Sequence, residues 1–228
     1  FKDVLARFSN AKLNNNGEVL LPWMYDAQWV FDLLTQGTKK PINVDVYPKK
    51  PVAFQEIFSS LLQGANVELK KIALPKALEC FTSDAMSDFN FAFLHQLSDL
   101  LAPLLYSLFV RDLKGLSPDG KLLPSDADIK TNHYTDFIHR LQEGELERIF
   151  NEKPVLLRLL AAITRQWIDT TSELINRLGN DLEAIERKLL HSKSPIKVSS
   201  IEGDLSDPHN LGHSVRIIVF DDGSKIVY

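Results

Sequence analysis

The residue types best suited to chemistry sit together near the C-terminal end, in the polar stretch from Gly203 to Ser214. Asp204, Asp207, His209 and His213 lie there, with Gly203 and Gly212 placed as hinges. Asp207 and His209, two residues apart, suit proton transfer on a phosphorylated substrate. An imidazole moves a proton near neutral pH, and a neighbouring carboxylate fixes its tautomer or tunes its basicity. The plain alternative is an Asp-Pro turn with an exposed histidine. Gly212, without a Cβ, lets the backbone approach a phosphate or take positive φ, and its plain alternative is an ordinary turn glycine. The other histidines, His95, His133, His139 and His191, show no metal-ligand spacing and read as structural or solvated. Cys80 reads as a small buried apolar residue. Trp23, Trp29 and Trp167 read as core anchors.

Strands must position this loop. Val215, Ile217 and Val219 alternate with Arg216, Ile218 and Phe220, then Asp221-Asp222-Gly223-Ser224 supplies hairpin chemistry before Lys225-Ile226-Val227-Tyr228. Strand, polar glycine-bearing loop, strand, tight turn, strand is the order found where a protein covers nucleotide phosphates, with a lysine on the third strand. The sequence ends at Tyr228, ahead of any such lysine.

Helices fill most of the remainder. The spacing predicts a short helix at Phe1 to Phe8 and another from Pro22 to Gln36, with Trp23, Ala27, Val30, Phe31 and Leu34 on one face. Thr38 to Pro51 reads as a loop. Phe54, Ile57, Phe58, Leu61 and Leu62 restore the helical period, and Gly64 is expected to end it. Ser83 or Asp84 is expected to cap a long helix with a stripe of Phe89, Phe93, Leu97, Leu100, Leu104 and Leu108, kinked by Pro103. Gly115 to Asp128 reads as a surface loop and the best internal hinge. Asn132 is placed to cap a helix carrying Tyr134, Phe137, Ile138 and Leu141, followed by an acidic turn from Glu143 to Glu147. Pro154 opens a long helix whose expected buried stripe is Val155, Leu156, Leu159, Leu160, Ile163, Trp167, Thr170 and Leu174. A further helix, Asp181 to Leu190, is expected to use Leu182, Ile185, Leu189 and Leu190. His191 to Pro195 reads as a linker.

The bulk numbers exclude some classes. A chain of 228 residues is long enough to bury a sizeable core. A net charge of -4 and a pI near 5.9 give no basic footprint for nucleic acid. One cysteine allows no intrachain disulfide, which suits a reducing cytoplasm. No apolar run is expected to reach membrane-spanning length, since Asp99, Arg111 and Asp112 bracket the longest. Phe1 in place of a methionine and the end within a strand read as a fragment of a longer protein.

Asp207-Pro208-His209-Asn210-Leu211-Gly212-His213-Ser214-Val215, with Phe220, Asp222-Gly223 and Lys225-Ile226-Val227-Tyr228, resembles the start of the dehydratase domain of LanM-type (class II) lanthipeptide synthetases. The resemblance extends upstream through Tyr134 and Phe137, Phe150 to Leu159, Trp167, Glu173-Leu174, Arg177-Leu178 and Asp181. It implies a mostly α fold: a helical region over 1–191, then at 192–228 the first strands of a truncated, lipid-kinase-like small lobe. It implies an enzyme that, at full length, uses ATP and Mg²⁺ to phosphorylate Ser and Thr of a precursor peptide. That enzyme then eliminates phosphate to give dehydro residues. Zinc would belong only to a separate cyclase domain, and this fragment alone would be inactive and hold no cofactor. Asp207 and His209 take the elimination role by resemblance, and Gly212, His213 and Ser214 the nucleotide contacts. The implied partner is a precursor peptide with a leader and a core rich in Ser, Thr and Cys, in the cytoplasm. Two departures stand out: Leu211 where the family favours Gly, and His213 where it favours Arg. The latter replaces a permanent guanidinium charge by a titratable one. A different class also fits the helical pattern, a non-catalytic module binding a peptide or protein.

Overall fold

The computed structural model describes residues 12–13, 19–36, 52–113, 133–191, 195–203 and 213–228. The chain is mostly helical, with a small three-stranded antiparallel sheet near its C-terminal end, as its pattern leads one to expect. It divides into two compact units, Phe1–Leu61 with His95–Ile163, and Leu62–Leu94 with Thr164–Tyr228. The expected helix at Phe1 to Phe8, the loops at Thr38 to Pro51 and Gly115 to Asp128, and the Asn132 cap lie outside the described residues.

In the first unit, β1 (Lys12–Leu13) pairs antiparallel with β2 (Val19–Leu20). Helix α1 (Pro22–Gln36) has the predicted bounds and buries Ala27, Val30 and Leu34. Trp23 departs from the core role expected of it, lying 40% exposed with the Arg158 guanidinium 4.8 Å from its ring centre. That stacking suits a ring with one wet face. Phe54 adopts φ 58°, a left-handed conformation uncommon for a bulky residue. Its ring is buried and stacks 5.9 Å from Tyr134, while Phe137 lies 6.0 Å away. These aromatic contacts, joined by Phe109 at 5.2 Å from Phe137, hold the strained backbone. Helix α2 (Ser59–Ile72) follows a short 3-10 turn at Gln55–Phe58.

Gly64 does not end α2. A mid-helix glycine costs about 1 kcal/mol relative to alanine. Burying Leu61, Leu62 and Leu69, all nearly inaccessible, is worth about 1.5–3 kcal/mol each, so packing wins. Helix α3 (Pro75–Leu78) follows, then α4 (Ser83–Leu113). The cap of α4 is Thr82, whose hydroxyl accepts the Ala85 N–H at 3.3 Å, not Ser83 or Asp84. The helix continues through Pro103, which is exposed. Its buried stripe turns from Leu97 to Leu101 and Leu105 instead of Leu100, Leu104 and Leu108, because each step is four residues. By length and composition alone α4 is apolar enough to cross a membrane, contrary to expectation, since the helix outruns the bracketed apolar run. A core helix meets the same criterion, and Phe89, Phe93, Leu94, Leu97, Leu101 and Leu105 are buried in protein.

Helix α5 (His133–Arg140) leads into α6 (Leu146–Glu152). The expected acidic turn between them is a helical kink at Leu141–Glu145, where Gly144 supplies φ 131°. Phe150 of α6 meets Phe31 of α1 edge to face at 6.3 Å. Helix α7 (Pro154–Ile185) begins at Pro154, whose missing N–H costs nothing in a first turn. Val155 and Leu159 are exposed, and the buried line runs instead through Leu160, Thr164, Trp167, Ile168, Thr171, Ile175 and Leu178. No separate helix starts at Asp181, because α7 passes through Gly179 to Leu182 and Ile185. A π-turn at Glu186–Leu190 then ends at His191, with φ 49°, and leaves Leu189 exposed.

In the second unit the Trp167 ring stacks on Phe93 at 4.5 Å, and its indole N–H donates to the Phe89 carbonyl at 3.2 Å. Asn176 of α7 accepts the Leu74 N–H at 2.7 Å, fixing the chain between α2 and α3. Gly179 is the reason α7 can sit so close to α3: a Cβ there would lie 2.6 Å from Ala77 Cβ and 2.8 Å from Ala77 Cα. A mid-helix Gly→Ala change ordinarily stabilises by about 1 kcal/mol. Here the backbone must move apart, so Gly179→Ala is expected to destabilise by about 1–3 kcal/mol, measured by urea unfolding.

Candidate functional site

The sheet of the second unit is built from β3 (Val198–Glu202), β4 (Ile217–Phe220) and β5 (Lys225–Val227), in that order and antiparallel. Alternation is as predicted, with Ile218 and Phe220 buried between half-buried Ile217 and Val219. The β4–β5 turn uses Gly223 at φ 84°, and Asp222 accepts the N–H and hydroxyl of Ser224 at 2.9 and 2.6 Å. The outer edge of β3 is covered by the approach to α4. Val198 donates to the Cys80 carbonyl at 2.8 Å and accepts from the Thr82 N–H at 2.9 Å. Two residues further, Asp88 of α4 accepts the Ser200 hydroxyl at 2.7 Å and the Ile201 N–H at 2.9 Å.

A row of charged groups on α7 faces the same sheet. Glu173, Arg177 and Asp181 are four residues apart, a spacing that turns by only about 40° per step and keeps them on one side of the helix. The Glu173 carboxylate is shared. His213 Nε2 lies 2.8 Å from one oxygen and the Arg177 guanidinium 2.5 Å from the other. The hydrogen bond to His213, with the charge of Arg177 behind it, holds Glu173 below the usual carboxylate value despite some desolvation. At the far end of the row the Tyr228 hydroxyl donates to Asp181 at 2.6 Å. Partial burial, reinforced by Asp181, pushes that phenol up to about 12. Arg216 and Tyr228 exchange backbone hydrogen bonds at 2.9 and 2.8 Å, so His213 and Tyr228 fasten the start of β4 and the end of β5 to one helix. The Arg216 guanidinium lies against Gly203, in the space a Cβ would take.

Asp207, His209 and Gly212 lie outside the described residues. The residues flanking their segment are described: Gly203 beneath Arg216 on one side, His213 held by Glu173 on the other. Ser214 is half-buried at the approach to β4. His213 shares the Glu173 carboxylate with the Arg177 guanidinium, and the Arg216 guanidinium lies at Gly203; groups of this type suit phosphate oxygens. Cys80 is only half-buried, not fully as expected, and desolvation raises its thiol pKa. His133, His139 and His191 are exposed, and exposed His95 lies 3.8 Å from Asp99. Among the described residues no cluster of three or more His, Cys, Asp or Glu is placed to hold a metal ion. In the first unit a separate open cleft of about 200 Å³ is lined by Leu108, Arg111, Asp112, Phe137, Arg140, Leu141 and Glu145, with Arg140 paired to Asp112.

Sequence reasoning placed no role on Glu173, Arg177, Asp181 or Asp88. The repeated spacing of four along α7 was the available signal for the first three. For Asp88 no local signal exists, because its partners are more than a hundred residues away.

Residues 154–228 match a family described as a domain of unknown function, DUF4135. That range holds α7, the three strands and the Asp207 to His213 segment. No curated protein matches the chain.

Two measurements probe this assembly. Asp88→Ala leaves the Ile201 N–H without its partner and should cost about 1–3 kcal/mol in denaturant unfolding, while Asp88→Asn, which keeps an acceptor oxygen, should recover part of it. Glu173 and Asp222 are both depressed in the folded chain, so each contributes stability above its ordinary value, 4.5 and 3.8 respectively. That contribution is lost as pH falls through the lower folded value. The thermal midpoint should therefore drop between about pH 5 and about pH 3, with a shallower slope in Glu173→Gln; the difference should be small, because the carboxylate is half-exposed.

Proposed function

We propose that this chain is the N-terminal part of a lanthipeptide-synthetase dehydratase, an enzyme that phosphorylates Ser and Thr of a precursor peptide with ATP and then eliminates phosphate. The observation that supports it most is the match to DUF4135, a family associated with lanthipeptide synthetases, over the helix, strands and loop that carry the Asp207-Pro208-His209 motif. The antiparallel order of strand, loop, strand, tight turn, strand agrees with a kinase-like small lobe.

On this reading the elimination acts on a phosphorylated Ser or Thr residue. The Cα–H bond breaks, its electron pair forms the Cα=Cβ double bond, and the Cβ–O bond breaks as phosphate leaves with its electrons. His209 moves the proton and Asp207 fixes or tunes the imidazole. Gly212, lacking a Cβ, would let the backbone approach the phosphate, and His213 and Ser214 would contact the nucleotide. Arg177 and Arg216 supply permanent positive charge beside that segment. Mg²⁺ would accompany ATP in the kinase step; among the described residues no group of three or more His, Cys, Asp or Glu is placed to hold it. ATP, the peptide partner and a cytoplasmic setting follow from the same reading.

A second reading, a non-catalytic helical module that binds a peptide or protein, draws on Trp23, Val155 and Leu159, large apolar side chains left exposed in the first unit. One experiment separates the two. Full-length protein is given ATP, Mg²⁺ and its precursor peptide, and the products are weighed by mass spectrometry. His209→Ala should accumulate phosphorylated peptide, with dehydration slowed by about 10²–10⁴-fold. Dehydration at the wild-type rate by His209→Ala would remove the role given to His209, and binding of peptide without phosphorylation by the wild type would favour the helical module.

A further inference from the structure

The geometry points to a peptide-docking face on the first unit, made by the outward side of α7 and by Trp23 of α1, for an amphipathic helical segment that carries a carboxylate. Naming that peptide as the enzyme's own substrate rests on the functional reading above. Val155, Arg158, Leu159 and Ala162 follow one another along α7 at spacings that keep them on one side of the helix. All four are exposed, Val155 by 67% and Leu159 by 45%. A helix face turned to water is ordinarily polar along such a line. Here it holds three apolar side chains and one cation. Leu160 and Ala161, on the inward side, are buried, so this stretch of α7 has two apolar sides and the fold covers one of them.

Arg158 joins the outward side to α1. Its guanidinium lies 4.8 Å from the centre of the Trp23 ring, which is 40% exposed. Stacking on a ring shields one side of a guanidinium and holds it, while the in-plane N–H donors stay able to grip a carboxylate in pairs. Among the described residues no carboxylate pairs with Arg158. From Pro154 to Ile163 the helix includes no acidic residue. In a chain of net charge -4 this is a local stretch of the opposite sign, and charge complementarity selects an acidic occupant. Tryptophan and arginine are also the side chains in which binding energy concentrates at interfaces. A helical segment fits the row, because apolar side chains one turn apart on it match Val155 and Leu159, one turn apart on α7, with its carboxylate at Arg158. A second copy of the chain fits badly. A two-fold contact sets one patch against itself and would bring two Arg158 guanidinium groups together without a carboxylate.

The test is fluorescence anisotropy of labelled precursor peptide titrated with full-length protein. Arg158→Glu should weaken binding by about thirtyfold, the effect of losing one interface hot spot, and Leu159→Ser by about tenfold. Both side chains are exposed, so thermal midpoints should stay near the wild-type value. Acidic residues of the peptide are then replaced by Lys one at a time, and at one position Arg158→Glu should restore binding. In phosphorylation kinetics the loss in Arg158→Glu should fall on KM and not on kcat, since contacts away from the reacting atoms bind ground state and transition state alike. Wild-type affinity in both variants, or no binding of the peptide by the wild type, would overturn the inference. So would hydroxyl-radical footprinting that finds Trp23 and Leu159 protected in the peptide-free protein, where another part of the enzyme covers the face, or a wild-type dimer that Leu159→Ser separates. Peptide that binds the wild type without being phosphorylated defeats the functional reading alone, and the affinities of the variants still decide the docking face.

Discussion

The arrangement of the C-terminal sheet depends on how β3 is closed along its outer edge. A three-stranded sheet has two edges, and an unpaired row of N–H and C=O groups is costly to bury and prone to wrong pairing. Here the row is satisfied by a segment entering a helix and by one carboxylate. Cys80 and Thr82 take the backbone groups of Val198, and Asp88 takes the N–H of Ile201. The same Thr82 whose N–H pairs with the sheet also caps α4 with its hydroxyl. Helix start and strand edge are therefore one structure, and neither position is free to move without the other.

With one edge fixed in this way, the other strands are set by α7. Tyr228 on Asp181 and His213 on Glu173 attach the two ends of the hairpin's long sides to a single helical face. The close approach of α7 to α3 at Gly179 holds that helix in turn. The polar segment between β3 and β4 is thereby flanked by two anchored points. Placement of this kind is what the proposed phosphate chemistry would demand, since most of its catalysis is positioning and electrostatics.

The elements with short, regular signals were legible from residues alone. α1 follows its apolar period and proline start, and the hairpin follows from alternation with an Asp-Gly turn. The long helices were harder. α4 is apolar nearly all round, so period alone does not say which line is inward, and Leu101 and Leu105 are buried where Leu100 and Leu104 were expected. Gly64 and Gly179 resemble stop signals, but each lies in a helix interior, one beside a buried stripe and the other at a backbone crossing. The candidate site was legible in part. Its loop and histidines stand out by type, whereas Asp88 and Glu173 acquire meaning only from partners distant in sequence.

Charge balance links the site to its proposed chemistry. The chain carries a net charge of -4, so an incoming phosphate meets an unfavourable overall field and needs local cations. Two guanidinium groups lie at the flanks of the segment, Arg216 against Gly203 and Arg177 paired with Glu173. A carboxylate shared between a guanidinium and an imidazole leaves the first less neutralised when the second is charged, because the negative charge is then divided between two partners.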